Sequence, residues 1–492
     1  MSSILARQLQ SHARSRPDAV AVRLAGEGAA EAVLTWGQWA EAAAALAARL
    51  HEQTTANAVV LVGIGNHPAF HVALMGVLLA DRRAMAMAPD CAGSEIAAAA
   101  TRTNAEAAIG TEAFVEHAAM HGLRCVDRDE LIDATAADAQ AVWSRHQGDG
   151  AVLLSSSGTT GRPKIVQRGT GSLGAVGESC ARGIGFQADD TVLLTIPVHH
   201  SYGLEHGLLA PLVAGTRVEL VASFDAERVL ARLLAGEATI FPSVPFIFEA
   251  LAQAHARAGA GGLAIRRAYS AGGPLPTGVY EAWQGRLGVR LGQLYGSTEI
   301  GSVSFNDPDE PGFDPTSVGR ALPGATLVVL DRETPSLNRP LGAGEQGRVA
   351  VASGGMMSCY VDQPSDELVD GYFMTNDVGW LDDRGRLTLA GRLNLLIDID
   401  GRKVNPAEVE AVLAAHEAVA EAVVLPMRMT ETMNRLKAVV VPRAGMRVDT
   451  NELRQFARGR LSGHKLPRVY EVRESLPRSA TGKVLREALL CS

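Results

Sequence analysis

Residues 153–169, "LLSSSGTTGRPKIVQRG", run two leucines into a block of hydroxyls and glycines and close on a proline-lysine pair. Gly158 and Gly161 allow tight backbone approach. Successive N–H groups, with the hydroxyls of Ser156, Ser157, Thr159 and Thr160, can wrap an anion, and Lys164 adds a point charge. The chemistry such a run can do is phosphate binding. It is not the Walker pattern, because no Gly-Lys-Ser/Thr follows four residues after a glycine. As an isolated string it reads equally well as a surface turn, so other residues must decide.

Three further stretches decide it. "GQLYGSTEIG" (292–301) follows a strand-like run, "YFMTNDVGWLDDRGRLTLAGRLNLLIDIDGRKVNPAEVE" spans 372–410, and "LPRSATGKVLREAL" lies at 476–489. With the first loop, in this order and at these separations, they resemble the signature motifs of the adenylate-forming (AMP-binding) superfamily, in its acyl-CoA synthetase branch. The resemblance implies a two-step reaction: a carboxylic acid and ATP give an acyl-adenylate and pyrophosphate, then a thiol displaces AMP.

The roles that follow are those the resemblance implies. Ser156, Ser157, Gly158, Thr159, Thr160, Gly161 and Lys164 cradle the β- and γ-phosphates. In "YGSTE", Tyr295 stacks on adenine, with Gly296 and Ser297 beside it. Thr298 reaches the α-phosphate and Glu299 holds Mg2+, a hard cation suited to carboxylate and phosphate oxygens. Gly272, Gly273 and Pro274 of "YSAGGPLP" form the pocket wall and adenine cleft. Asp377 accepts the ribose hydroxyls beside Arg392. Lys483 bridges the acyl carboxylate and ATP in the adenylating state, and the turn with Gly401 and Lys403 lines the thiol tunnel after the small domain rotates.

Two positions depart from the family pattern. Asn376 stands where a glycine is usual, a change that positive φ in asparagine could accommodate, and Asn394 stands at the hinge, where Asp or Lys is usual. In "IPVHHSYGLEHG" (196–207), three histidines and Glu205 do not have zinc-ligand spacing. The resemblance places His200 at the mouth of the acyl pocket. No acid precedes Glu205 there to hold an α-ammonium, which points to an acid without an α-amine. A fatty acid is the first expectation and an aryl acid the alternative. CoA is the expected acceptor, with a free-standing acyl or peptidyl carrier protein as the alternative.

The elements that must position these groups follow from patterning. Between about 58 and 300, aliphatic runs such as "AVVLVGIG", "DTVLLTIP", "TRVELV" and "ATIFPSV" alternate with helical patterns, implying parallel sheets covered on both faces. Ligands then gather beyond the carboxyl ends of strands. After about 312, "ATLVVLD", "GRVAVAS" and "GRLTLAGRL" read as short strands of an antiparallel β portion. "VNPAEVEAVLAAH" starts a helix with Asn405 as cap, Pro406 at the first position and Glu408 placed for a capping box. The expected fold is therefore α/β: a large N-terminal domain (1–392) of parallel-rich sheets flanked by helices plus a β portion, a hinge (393–394), and a small mobile α+β domain (395–492). The run "RRAMAMAPD" (82–90) carries no assignable role.

Composition sets outer limits. The 492 residues are 47% hydrophobic and 20% charged, as in globular α/β proteins, and a net charge of -8 argues against general nucleic-acid binding. Five scattered cysteines form no CxxC pair, and charges precede any apolar run of signal-peptide length, so a cytoplasmic protein without an integral membrane segment is expected. A P-loop hydrolase would explain the first loop but not "YGSTE" or "TGK". An inactive scaffold would fit the departures but not the retained charged residues.

Overall fold

The structure is a computed structural model describing residues 3–25, 32–136, 138–156, 164–258, 261–393, 397–399, 402–428, 434–458, 460–461, 463–479 and 484–490. The chain divides into two compact units, residues 1–327 with 351–373, and residues 328–350 with 374–492. The first unit differs from the expected large domain by the segments 328–350 and 374–392.

Two sheets build the first unit. One runs in the order 319–321, 301–306, 292–297, 267–270, 240–243, 191–194, 217–221, 20–25, 33–35. Its interior pairs are parallel: Arg267–Ser270 lies between Ile240–Ser243 and Gly292–Ser297, and Thr191–Leu194 follows on the other side of Ile240–Ser243. The second sheet runs 359–360, 164–169, 151–156, 83–86, 59–63, 105–110, 124–127. Strands such as Val59–Gly63 and Thr191–Leu194 are buried at every residue, as a sheet covered on both faces requires. The unassigned run at 82–90 supplies a central strand, Arg83–Ala86, parallel to both Val59–Gly63 and Ala151–Ser156.

The segment "GLEHGLLAPLVAG" is not one regular helix. Short α-helical pieces, Ser201–Leu204 and Ala210–Ala214, flank a π-helical turn at Glu205–Leu209. Pro211 explains the irregularity: it has no N–H to give the carbonyl four residues back, that of Gly207. That carbonyl accepts instead from Nε2 of His71, at 2.9 Å. His71 comes from the wholly buried helix Pro68–Leu79, so the π turn is stapled to the neighbouring helix.

In the second unit, strands Ala325–Leu330, Gly347–Ser353 and Arg386–Arg392 form where the β portion was expected. Strands Val419–Arg428, Asn434–Pro442 and Val469–Val472 make a separate sheet with its own core, which includes Val409, Leu413, Val424 and Leu453. Helix Pro406–Ala414 begins as read, with the Asn405 side chain accepting from the N–H of Ala407. The capping box does not form. Glu408 turns to Lys465, whose Nζ lies 2.6 Å from its carboxylate.

Candidate active site

Adjacent parallel strands deliver the predicted groups to one edge of the first sheet. Past Thr191–Leu194 the chain reaches His200, and past Arg267–Ser270 it reaches Gly272, Gly273 and Pro274, all three exposed. Past Gly292–Ser297 come Thr298 and Glu299, both half-buried. Such carboxyl ends of neighbouring strands are where an open α/β sheet binds ligands. Gly272 has φ +84°, a conformation that glycine adopts without strain.

The "YGSTE" segment is the tip of a hairpin. Tyr295 is buried and pairs across to Ser304, Ser297 pairs with Gly301, and Thr298–Ile300 make the turn. A Cβ at Gly296 would collide with the Gly301 carbonyl, so only glycine fits between the strands there.

The flanks of the loop expected to bind phosphate lie on the second sheet. Ser156 ends one strand, buried, and its register partner is Lys164, which opens the next. The Lys164 ammonium pairs with the Glu367 carboxylate at 2.9 Å and sits 4.3 Å from the centre of the Tyr360 ring. The Tyr360 hydroxyl donates to the Glu299 carboxylate, and burial pushes that phenol further from ionisation. Two motifs 135 residues apart, at Lys164 and Glu299, thus meet around one aromatic ring. Ser157, Gly158, Thr159, Thr160 and Gly161 lie outside the described residues, as do Asn394, Gly401 and Lys483. Lys403 is described only by its backbone, paired with Asp398 in a two-stranded hairpin.

In the second unit, Asp377 and Arg392 are register partners on strands Tyr372–Leu381 and Arg386–Arg392. Nε of Arg392 donates to Asp377 at 2.7 Å, and the aspartate is almost fully buried. Asn376 does not use the conformation that was expected to excuse it. It lies within the strand, and among the described residues the non-glycine positive φ values are those of Asn57, Asp81, Asn104 and Asp370.

Beneath His200 runs a buried polar chain that sequence reasoning missed. Arg168 is fully buried, and its Nη1 donates to Glu205 at 2.5 Å and to Ser201 at 3.2 Å. The other Glu205 oxygen accepts from the Ser302 N–H at 2.9 Å and from its hydroxyl at 2.6 Å. With that hydroxyl proton given away, Ser302 accepts from Nε2 of His206 at 3.1 Å, leaving Nδ1 to accept from the Tyr269 hydroxyl at 2.7 Å. The Glu205, Ser302, His206 and Tyr269 side chains are linked in sequence, while Nε and Nη2 of Arg168 are buried without a hydrogen-bond partner among the described residues. Burial works to raise the Glu205 carboxyl, but Arg168 and the Ser302 hydrogen bonds outweigh it and hold the group below its ordinary range. Burial lowers His206 to about 4, so the imidazole is neutral.

Glu205 and His206 lie within 4.8 Å of Cys180, the metal-ligand grouping found among the described residues, but both are engaged in this network. The missed signal was a lone acid in an otherwise apolar run, "GLEHGLLAPL", which cannot be buried without a partner. His200 itself is kept neutral by burial, and its ring lies 4.5 Å from that of His199.

This architecture defines a class. The structure superposes on ATP-bound MatB from Rhodopseudomonas palustris with a TM-score of 0.87 at 22% identity, covering 100% of this chain and 98% of the other. It matches o-succinylbenzoate coenzyme A synthetase of Bacillus subtilis, solved with ATP and a magnesium ion, with a TM-score of 0.82 at 24% identity over 99% of each chain. The fold is thus that of acyl-adenylate-forming enzymes. The family of AMP-binding enzymes matches residues 9–361, its C-terminal domain matches residues 408–483, and the chain belongs to that family. Among curated relatives, a long-chain-fatty-acid–CoA ligase of Bacillus subtilis is 31% identical over 347 residues, which are 70% of this chain and 61% of that protein. No helix among the described residues is long and apolar enough to cross a membrane.

Proposed function

We propose that the protein is an AMP-forming acid–thiol ligase that uses ATP, Mg2+ and CoA. The observation that carries this reading is the convergence of Lys164 and Glu299 on Tyr360 at the strand ends where Thr298, Gly272 and His200 also emerge.

In the first step a carboxylate oxygen attacks the α-phosphorus, the bond to the bridging oxygen breaks, and pyrophosphate leaves with that electron pair. Lys164 offsets charge on the departing phosphates, Thr298 orients the α-phosphate, and Lys483 holds the carboxylate in line. The half-buried Glu299 carboxylate suits a hard cation, and Mg2+ held there supplies further charge compensation. Asp377 and Arg392 hold the ribose. In the second step, after rotation of the small domain about residues 393–394 brings Gly401 and Lys403 to the site, a thiolate attacks the acyl carbon and AMP leaves.

The substrate acid has no α-amine. Glu205, the acid nearest His200 in sequence, is committed to Arg168 and Ser302, and His200 is neutral, so neither offers a counter-charge to an ammonium group. A fatty acid is the first choice, with an aryl acid second; relatives of equal identity are named for both a long-chain fatty acid and 2-succinylbenzoate.

The test is exchange of labelled pyrophosphate into ATP, with Mg2+, across fatty acids of graded length, benzoic and cinnamic acids, and amino acids. Exchange with fatty or aryl acids but not amino acids is expected, and exchange with amino acids alone would overturn the substrate reading. Thioester formed with free CoA supports CoA as acceptor, whereas thioester formed only on a phosphopantetheinylated carrier protein overturns it.

A further inference from the structure

Tyr360 and Glu367 belong to none of the motifs that identify the site, yet they hold its charged groups. Strand Cys359–Tyr360 runs antiparallel to Lys164–Gly169, with Tyr360 opposite Val166 and Cys359 opposite Gln167. Partners across a strand pair share a face, and residues two apart on a strand do too. Tyr360 therefore lies on the face that carries Lys164, and its ring comes beneath the ammonium at 4.3 Å.

The backbone beside it is fastened to the metal-side hairpin. The N–H of Met357 donates to the Glu299 carbonyl at 2.7 Å, while the Tyr360 hydroxyl reaches the Glu299 carboxylate. Tyr360 is 5% exposed, so its ring is a rigid spacer. Beyond it the chain is held by an ion pair between Asp362 and Arg102 at 2.5 Å. Five residues further on, Glu367 meets Lys164 at 2.9 Å.

We infer that Tyr360 is a positioning residue that sets the separation of Lys164 and Glu299, and that the Glu367 carboxylate occupies Lys164 until nucleotide phosphate displaces it. The inference rests on the reading that Lys164 faces the β- and γ-phosphates. The Lys164–Glu367 pair is about three-quarters buried on each side. A partly exposed pair of this kind is a modest competitor. A polyphosphate carrying more charge displaces it, and the ammonium is spared the wrong rotamers in the meantime. The Tyr360 hydroxyl fills one acceptor position of Glu299 and so restrains the carboxylate.

Equilibrium binding of ATP, with and without Mg2+, and of AMP is measured by calorimetry on the full chain and on the Glu367→Gln and Tyr360→Phe variants. For Glu367→Gln, Kd for MgATP should fall about two- to fivefold, the upper range of one partly exposed ion pair. Kd for AMP, which has no β- or γ-phosphate, should not change. For Tyr360→Phe, the factor by which Mg2+ tightens ATP binding should shrink several-fold at unchanged AMP affinity. Unchanged or weaker MgATP binding by Glu367→Gln overturns the role of Glu367. Equal weakening of ATP and AMP by Tyr360→Phe shows a merely structural tyrosine and overturns the role of Tyr360. Wild-type protein that binds MgATP but exchanges no pyrophosphate sinks the ligase reading while this comparison stands. Wild-type protein that binds no nucleotide overturns both.

Discussion

At Lys483 the expected loss is confined to one half-reaction. A single positive charge aimed at a developing anion is worth about 10²- to 10³-fold in rate. Lys483→Ala should therefore slow adenylate formation by about 100-fold or more. Thioester formation from supplied acyl-adenylate should survive, and stopped assays of each half-reaction check this; equal loss of both would remove Lys483 from its role. The lysine is singled out only by the motif "SATGK" around it, because nothing in its own type sets it apart from other lysines. Tyr360 and Glu367 had no such motif. Their chemistry arises from strand pairing with residues about 200 positions earlier, which no local spacing encodes.

Among the elements, the π turn at Glu205–Leu209 shows how one residue reorganises its surroundings. Pro211 frees the Gly207 carbonyl, His71 takes it, and the turn that results presents Glu205 and His206 inward as neighbours of Arg168 and Ser302. The Arg168–Glu205 pair is fully buried, so removing one partner strands a charge in low dielectric. Arg168→Met should lower unfolding stability by about 3–5 kcal/mol. The double variant Arg168→Met, Glu205→Gln should recover a large part of that loss, because the uncompensated charge is gone. Urea unfolding followed by circular dichroism gives both values. A double variant no more stable than the single would show that the pair is not coupled as the geometry indicates.

The alternation of strands and helices between 58 and 300 was readable because each element buries its apolar residues at its own period. The helix beginning at Pro406 was readable because its caps are local. Its capping box was misread because Lys465, distant in sequence, offers Glu408 a full charge in place of a backbone N–H. Asn376 was explained through positive φ, but the strand pairing of its neighbours holds it extended.

Over the whole molecule, histidines withdrawn from water contribute to the response to acid, ahead of the lowered carboxylates such as Glu205 and Asp190, which add to it only at lower pH. Burial lowers His71, His67 and His206 to about 4, and burial with the neighbouring His200 lowers His199 to about 3. In the unfolded chain each titrates near 6.5. Below that value the unfolded state binds protons that the folded state refuses, so stability is complete above about pH 6.5 and is lost as pH falls toward about 4. For fully buried His71 the loss reaches on the order of 3 kcal/mol. Tm should thus fall steadily between pH 7 and pH 4, and His71→Gln should flatten that slope. A Tm independent of pH across this window would contradict the assignment.

By itself the sequence determined the family and the α/β alternation, and it supplied the motifs proposed to face phosphate, metal and ribose. These are written in short runs whose residue types and spacing are set by local backbone geometry and by the chemistry of the ligand. Only the tertiary structure decided which charges are already spoken for. Glu205 faces Arg168 rather than a substrate, and Lys164 is held between Glu367 and Tyr360. Electrostatic pairing acts through space over a few ångströms, and chain separation does not enter it, so partners 37 and 203 residues apart become neighbours only when the sheets close.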